Sequence, residues 1–264
     1  MGIHIVVCMK QVPDPEGPAA SFEADTAGNR VVTHGLPPVA NPYDENALEV
    51  ALGIKAACDG NITLLSLGKS LSRPVLLKAM ATGVDDAIVI EGDSLDPQDV
   101  DSHATATLLS TALRRVDFDL ILVGRQAADT NAGQVGLGVA QMLGIPALSL
   151  ARNIEVDGGK VLVESVLPDG FVRMSAPLPA LVTVSHEAGE LRYPSLAAIK
   201  AAKNIPQVSY SPGDLGVELP IGAMVARIAV AMPSRERRCQ VISGENPEET
   251  GEMLADRLYT DKVI

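Results

Sequence analysis

LILVGRQAADTNAGQVGLG, residues 120–138, joins an apolar run, a polar loop and the glycine-rich start of a second apolar segment. The run Leu120–Val123 predicts a buried strand that ends at Gly124, and the segment from Gly133 to Met142 predicts a helix. A helix that begins after a strand presents unpaired backbone N–H groups and the positive end of its dipole, which favour a bound phosphate. The alternative is an ordinary strand–helix connection whose glycines allow close packing.

The composition describes a folded α/β protein with an aliphatic core. Hydrophobic residues make up 47% of the 264 residues, aromatic residues only 3%, and tryptophan is absent. Valine, leucine, isoleucine and alanine must therefore fill the interior, which suits buried parallel strands covered by helices. The length allows one large α/β domain, or one domain with an appendage.

Charge and cysteine content exclude several classes of protein. The formal net charge of −12 argues against a nucleic-acid partner, because phosphate backbones are bound by an excess of lysine and arginine. The first ten residues are too short for a signal peptide, and no apolar run reaches the roughly 20 residues of a membrane span. We expect no membrane insertion and a location in the cytoplasm, or in the mitochondrial matrix of a eukaryote. Cys8, Cys58 and Cys239 lack metal or disulfide spacing, so each is expected to pack in the core.

Strands and helices alternate from the N-terminus to Pro146. The helix that begins after Asn41 has the composition of a capped first turn, with Asn41 as the capping side chain. This alternation predicts right-handed β-α-β units in a doubly wound, mostly parallel sheet with helices on both faces, a Rossmann-like fold. The predicted strands are Ile3–Met9, Asn61–Leu67, Ala87–Ile90 and Leu120–Val123, and the later predicted helices are Leu71–Met80 and Asp101–Val116.

The pattern changes after Pro146. A hairpin, a last buried strand and two helices are predicted there, at residues 154–166, Ala180–Ser185, Arg192–Lys203 and Pro247–Tyr259. We expect residues 1–205 to form the nucleotide-binding domain. Residues 206–264 are too few to build a core of their own and are expected to form an arm that packs across the domain or onto another subunit.

Motifs of known catalytic chemistry are missing from the sequence. It contains no GxSxG, HExxH or GxxxxGK[ST] motif, and a GxGxxG fingerprint does not follow the first strand. The histidines are isolated from one another, and no metal site is predicted. These absences favour a binding function over a catalytic one.

Several separated segments together resemble the β-subunit of electron-transfer flavoprotein. They match, in order, that family's opening strand and its exit, an NPxxxxALE helix start, a G[RK]QAxD…Q[VT]G nucleotide loop and an LPAVxT…RYxSLxxIxxAK segment. The matching residues are Val6–Asp14, Asn41–Glu49, Gly124–Gly136, and Leu178–Val184 with Leu191–Lys203.

The resemblance implies an electron carrier and not an enzyme. It implies a heterodimer with an α-subunit that holds FAD, accepting electrons from acyl-CoA or similar dehydrogenases and passing them to a quinone reductase or another acceptor. Residues 206–264 would then pack on that α-subunit. The β-subunit of this family binds AMP as a structural nucleotide, and the matching positions here are Cys8, Asn41, Leu67, Gly124, Arg125, Gln126, Asp129, Thr130, Asn131, Ala132, Gly133, Gln134 and Val135.

Two other functions stay open at this point. One branch of the family splits electron pairs from NADH and binds a second FAD in place of AMP, with a loop that typically reads DGDTAQVGP. Residues 129–137 read DTNAGQVGL and lack its Gly-Asp-Thr core, so AMP is favoured. The other alternative is a stand-alone ATP-binding α/β domain, for which the long segment after Pro206 would be superfluous.

The segment Leu191–Lys203 is similar to the family's recognition loop, on which a leucine anchors in a dehydrogenase. Leu196 matches that leucine, with Arg192 and Lys200 among the basic residues around it. A leucine anchor with a basic rim is a plausible docking element. The alternative is that Leu196 and Ile199 both pack inward on the domain.

Overall fold

The structure, a computed structural model, describes residues 2–218, 224–233 and 239–264. Its internal contacts divide the chain into two units, Met1–Val230 and Ala231–Ile264. The described residues of the second unit contain one helix, Pro247–Thr260, which Asn246 caps by accepting a hydrogen bond from the Glu249 N–H. That helix contains no buried residue.

The first unit contains thirteen strands and five helices among its described residues. The strands are β1 (His4–Cys8), β2 (Gln11–Pro13), β3 (Phe22–Asp25), β4 (Arg30–Thr33), β5 (Pro38–Ala40), β6 (Asn61–Gly68), β7 (Asp86–Glu91), β8 (Leu120–Gly124), β9 (Ala147–Asp157), β10 (Lys160–Leu167), β11 (Gly170–Pro177), β12 (Ala180–Val184) and β13 (Gln207–Tyr210). The helices are α1 (Pro42–Cys58), α2 (Arg73–Met80), α3 (Ser102–Leu113), α4 (Val135–Leu143) and α5 (Leu196–Ala201). The helix of the second unit is α6.

Nine strands form one sheet in the order β11-β10-β9-β12-β8-β1-β6-β7-β13. The strands from β13 to β9 are parallel, and β10 and β11 extend the sheet as an antiparallel meander. Side chains alternate between two cores along β1: Ile5 packs with α1 and α2 on one face, and Val6 packs with α3 and α4 on the other. The prediction of a doubly wound, mostly parallel α/β sheet is confirmed.

The chain reverses its direction across the sheet beside β1. After β1 it adds β6 and β7 on one side, and it then crosses to add β8 and β12 on the other side. The carboxyl ends of β1 and β8 therefore diverge into different connections and leave a crevice between them. Crevices of this kind, at the carboxyl edge of a parallel sheet, are where open α/β folds bind ligands.

Sequence patterns placed most elements correctly but did not predict β2, β5 or β11, and two further differences concern residues 192–210. The helix predicted over Arg192–Lys203 contains only α5 and one following 3-10 turn, because the chain is extended through Ser195, whose side chain caps α5 at Ala198. The strand β13 was not predicted at all. It lies within the segment assigned to the arm, yet it pairs in parallel with β7 at the edge of the main sheet.

The cysteines do not share one environment. Cys8 is buried, Cys58 is half-buried and Cys239 is exposed, so core packing is the wrong prediction for Cys239. No disulfide joins them. Among the described residues, none of the helices combines the length and apolar character that crossing a bilayer requires.

Gly136 sets how closely α4 approaches the sheet. A Cβ atom added there would lie 2.6 Å from Cγ2 of Val123 on β8 and 3.4 Å from Cγ2 of Thr183 on β12. Distances this short leave no room for a methyl group. The first turn of α4 therefore lies directly against the ends of β8 and β12.

Substituting Gly136 by alanine is expected to destabilise the protein by about 1–3 kcal/mol, the usual cost of over-packing a filled interior. Gly53→Ala is the matched control, because Gly53 is exposed on α1 and an added Cβ meets no atom within 4 Å. Alanine there should raise the free energy of unfolding by up to about 1 kcal/mol. Urea unfolding followed by circular dichroism measures both variants. Equal effects of the two substitutions would contradict the close packing of α4.

Candidate nucleotide-binding cleft

A cavity of about 550 Å³ opens at the carboxyl ends of β1 and β8. This volume lies within the range of sites that bind small molecules. The floor is apolar and consists of side chains from β6, β8, α3, α4 and the loop after β7: Leu65, Leu67, Leu95, Leu109, Val123 and Val139. Backbone and polar side chains of the loop after β8 form one wall, as a nucleotide site requires.

Asp44, in the first turn of α1, joins the two strand ends at the cavity. Its Oδ2 accepts a hydrogen bond from the Lys10 N–H at 2.7 Å, and its Oδ1 accepts one from the Gly124 N–H at 2.9 Å. The side chain is buried. One carboxylate therefore satisfies two backbone donors that leave neighbouring strands, and it fixes the mouth of the crevice.

Asn41 holds the loop that follows β8. Its Nδ2 donates to the Gln126 carbonyl at 2.9 Å, and its Oδ1 accepts from the Ala128 N–H at 3.0 Å. The prediction that this side chain caps α1 is wrong, because it accepts no hydrogen bond from the helix; its backbone carbonyl accepts the N–H groups of Asp44 and Glu45 instead. Only 1% of Asn41 is exposed, so both amide atoms are committed to the loop.

Gly124 stands where α1 touches the end of β8. A Cβ atom at this position would lie 2.4 Å from Oδ1 of Asp44 and 2.7 Å from Cβ of Tyr43. The next residue, Arg125, places its guanidinium 5.1 Å from the centre of the Tyr43 ring. Only glycine therefore permits this approach, and a cation–π contact between Arg125 and Tyr43 follows it.

The rest of the loop contains both bonded and unbonded backbone N–H groups. The N–H groups of Thr130 and Asn131 both donate to the Ala127 carbonyl, and Asn131 has a positive φ of 52°. Within the described residues, the N–H groups of residues 132–134 donate no hydrogen bond. These residues line the cavity immediately before α4, where unbonded backbone donors and the positive end of the helix dipole both favour an anion.

Most of the candidate site residues line this cavity. Asp129 and Asn131 do not: Asp129 forms an ion pair with Lys10 at 2.7 Å, and Asn131 accepts a hydrogen bond from the Gln126 side chain. Both side chains therefore stabilise the loop through these contacts and do not line the cavity. The lining residues are Cys8, Asn41, Leu67, Gly124, Arg125, Gln126, Thr130, Ala132, Gly133, Gln134 and Val135.

The opposite wall was missed by sequence reasoning. Asp101 caps α3 through the Ala104 N–H, and its second oxygen accepts from the N–H groups of Met224 and Val225. These hydrogen bonds outweigh its partial burial and hold the pKa of Asp101 below its ordinary value. Arg227 donates to the Asn29 carbonyl at 2.8 Å. No local motif signals this wall, because its parts lie more than a hundred residues apart.

Burial sets the protonation of two groups beside the cavity. It raises the pKa of the Cys8 thiol to about 12, with a further contribution from the charge of Asp44. Burial also raises the pKa of Asp44 to about 6, against the opposing effect of hydrogen bonds from Lys10, Asn41 and Gly124. Cys8 is therefore a neutral thiol at neutral pH and not a nucleophile. No cluster of three metal-binding side chains occurs in the described part of the chain.

The candidate docking residues lie on the loop around α5. Leu196 is 81% exposed, whereas Ile199 packs against the core beneath α1 and α2, so only the second of these side chains points inward. Lys200 is exposed. Arg192 is not a free basic residue, because it is paired with Glu49 of α1 at 2.6 Å.

Comparison with known proteins identifies relatives over nearly the whole length. Residues 28–212 match the family described as electron transfer flavoprotein domain. The electron transfer flavoprotein subunit beta of Thermoanaerobacterium thermosaccharolyticum is 32% identical, with 99% of this chain and 100% of the relative aligned. That of Megasphaera elsdenii is also 32% identical, with 99% and 100% aligned. The caffeyl-CoA reductase-Etf complex subunit CarD of Acetobacterium woodii is 31% identical, with 81% and 80% aligned.

As the pH rises from about 4 to about 7, the free energy of unfolding of the wild-type protein should fall relative to that of the Asp44→Asn variant. The folded pKa of about 6 lies above the ordinary 3.8, so the folded state binds more protons in this interval. The stabilisation that protonated Asp44 contributes is complete below its pKa in the unfolded chain. It is lost as the pH rises through its pKa in the folded protein. It amounts to roughly 3 kcal/mol at most. Urea unfolding of the wild-type protein and of Asp44→Asn, at about pH 4 and at about pH 7, measures this loss. A stability difference between the two proteins that does not change with pH would contradict the prediction.

Asn41→Ala should destabilise the protein by about 1–3 kcal/mol, because it leaves buried backbone groups of the loop without partners. Gln126→Ala is the control: it removes a side-chain hydrogen bond of the same loop that is exposed, and it should change the free energy of unfolding by less than about 0.5 kcal/mol. Urea unfolding compares the two variants. A smaller effect of Asn41→Ala than of Gln126→Ala would contradict its role in holding the loop.

Proposed function

The chain belongs to the electron transfer flavoprotein family as a β-subunit, and we propose that it binds AMP as a structural nucleotide in the cleft between β1 and β8. The observation that carries this proposal is that residues 132–134 line a cavity with an apolar floor, while their N–H groups donate no hydrogen bond within the described residues. Phosphate suits the unbonded N–H groups and a purine ring suits the apolar floor.

The residues present fit an adenine mononucleotide. The phosphate would be held by the N–H groups before α4, while Leu67 and Val123 would contact the adenine. Lys10 adds positive charge at the rim, although its pairing with Asp129 reduces that charge. Asp129 lies outside the cavity lining and so does not oppose a bound phosphate directly. The nucleotide would supply no reacting group and would serve to fill and stiffen the cleft.

Electron transfer itself would depend on the partner α-subunit and its FAD, which supplies the redox chemistry. The buried Cys8 thiol offers no redox function at neutral pH, because its pKa is raised to about 12. In this proposal the complex works in the cytoplasm, accepts electrons from acyl-CoA or similar dehydrogenases and passes them to a quinone reductase or another acceptor. Leu196, exposed at the first position of α5, would dock the dehydrogenase. The C-terminal arm, with Met253 and Leu254 exposed on α6, would pack on the α-subunit.

A second FAD in the same cleft is the second candidate. Two observations favour it. The cavity continues beyond the phosphate loop to a wall formed by residues 97–102, Thr105, Val225 and Arg227, and one relative is named as a subunit of a caffeyl-CoA reductase-Etf complex. A dinucleotide would occupy both walls, whereas AMP would leave the second one uncovered. NADH would then be the electron donor.

Co-expression of this chain with its α-subunit should give a yellow heterodimer. Heat denaturation should release about one FAD and one AMP per heterodimer, measured by chromatography of the supernatant, because one cleft per β-subunit holds one nucleotide. Asn41→Ala should lower the AMP content and leave the FAD content unchanged.

A content of two FAD per heterodimer would contradict the AMP proposal and support the second candidate, a second FAD in the cleft. A colourless chain that forms no complex would contradict both. Leu196→Ala is the matched control for Asn41→Ala, since Leu196 lies outside the cleft and its removal should leave both nucleotides in place.

A further inference from the structure

Glu49 of α1 forms several hydrogen bonds with Arg192, which lies in the segment Leu191–Lys203, here called the docking loop. Its carboxylate accepts hydrogen bonds from Nε of Arg192 at 3.0 and 3.1 Å, from Nη2 at 2.6 Å and from the backbone N–H at 3.0 Å. The guanidinium therefore engages both oxygens, and the main chain of the loop is held as well. Bidentate geometry of this kind gives direction as well as attraction.

Other contacts hold the same loop against the same helix. Asn46, one turn before Glu49, donates from Nδ2 to the Gly189 carbonyl. The hydrogen bonds from Arg192 outweigh partial burial and hold the pKa of Glu49 below its ordinary value, so the carboxylate is ionised at neutral pH. The segment from Gly189 to Arg192 is thus fixed on α1 before the exposed residues begin.

The side chains that follow are divided between the core and the solvent. Leu191 and Ile199 pack against the buried cluster of α1 and α2, whereas Tyr193 is 91% exposed and Leu196 is 81% exposed. Two apolar side chains are therefore presented outward from a short segment that is anchored at both ends. Side chains this exposed add little buried apolar area to the fold, and they are free to contact a partner.

We propose that Glu49 is a positioning residue which, through Arg192, fixes the loop so that Leu196 is presented to the dehydrogenase. This inference rests on the proposed docking function of Leu196. A loop that is already ordered loses less conformational entropy when it binds. The partner therefore binds it at a lower concentration than it would bind a mobile loop. Because Asn41 and Asp44 on the same helix hold the nucleotide loop, α1 also fixes the docking loop relative to the cleft.

The pair Glu45–Lys78 provides a closely matched control. Glu45 also lies on α1, and its side chain is 25% exposed beside a 51% exposed Lys78, compared with 23% and 51% for Glu49 and Arg192. Lys78 lies on α2 and not on the docking loop. Glu45→Gln therefore removes an equally exposed ion pair from the same helix without releasing the loop.

The test measures reduction of the purified heterodimer by an acyl-CoA dehydrogenase, with the heterodimer concentration varied. Glu49→Gln and Arg192→Lys should each raise KM for the heterodimer by about 3–10-fold and change kcat by less than about twofold, since they alter only the cost of docking. Glu45→Gln should change neither. Leu196→Ala should raise KM at least as much, and adding Glu49→Gln to it should have little further effect.

Trypsin gives a second readout that is independent of docking. Cleavage after Arg192 requires its side chain to leave Glu49, so Glu49→Gln should accelerate this cut several-fold while Glu45→Gln leaves it unchanged. FAD and AMP contents should be the same in all these variants.

The outcomes separate the two claims. If Leu196→Ala leaves KM unchanged, the docking function is wrong, whatever the loop does. If Leu196→Ala raises KM while Glu49→Gln behaves like Glu45→Gln, docking stands and the positioning role is overturned. A faster tryptic cut with an unchanged KM overturns it too.

Discussion

The hydrogen bonds of Asp44 and Asn41, both at the start of α1, are the interactions on which the cleft depends. Asp44 joins the ends of β1 and β8, where the chain diverges, and Asn41 ties the following loop to the helix. Both side chains are buried. Because a buried polar group without a partner pays its full desolvation penalty, losing one of these hydrogen bonds would destabilise the protein more than losing an exposed one. Without them the strand ends would carry two unsatisfied donors and the loop would have no fixed position.

The loop held in this way has a backbone that can bind an anion. Its residues 132–134 keep their N–H groups free, and Gly136 lets α4 begin close against the sheet. The same helix that fixes this loop continues to Asn46 and Glu49, which fix the docking loop. One helix thus relates two surfaces of the electron carrier: a cleft proposed for a nucleotide, and an exposed leucine proposed for a dehydrogenase.

Local patterns in the sequence were sufficient for the central parallel strands, for most of the helices and for the loop between β8 and α4. The apolar run Leu120–Val123 and the glycines after it predicted β8, α4 and the loop between them, because these features depend on neighbouring residues. The role of Asn41 was misread, since a helix-capping residue and a buried amide that binds a distant loop look identical in sequence. The wall made by Asp101 and Arg227 joins segments far apart in the chain, so no local pattern encodes it.

Residue-resolved amide hydrogen exchange of the nucleotide-free heterodimer tests the central claim most directly. The N–H groups of Lys10 and Gly124 should exchange as slowly as those inside β1 and β8, because Asp44 accepts both, whereas those of Ala132 and Gly133 should exchange fast. Added AMP should slow the exchange of Ala132 and Gly133. Fast exchange at Lys10 and Gly124, or no response of Ala132 and Gly133 to AMP, would contradict the account.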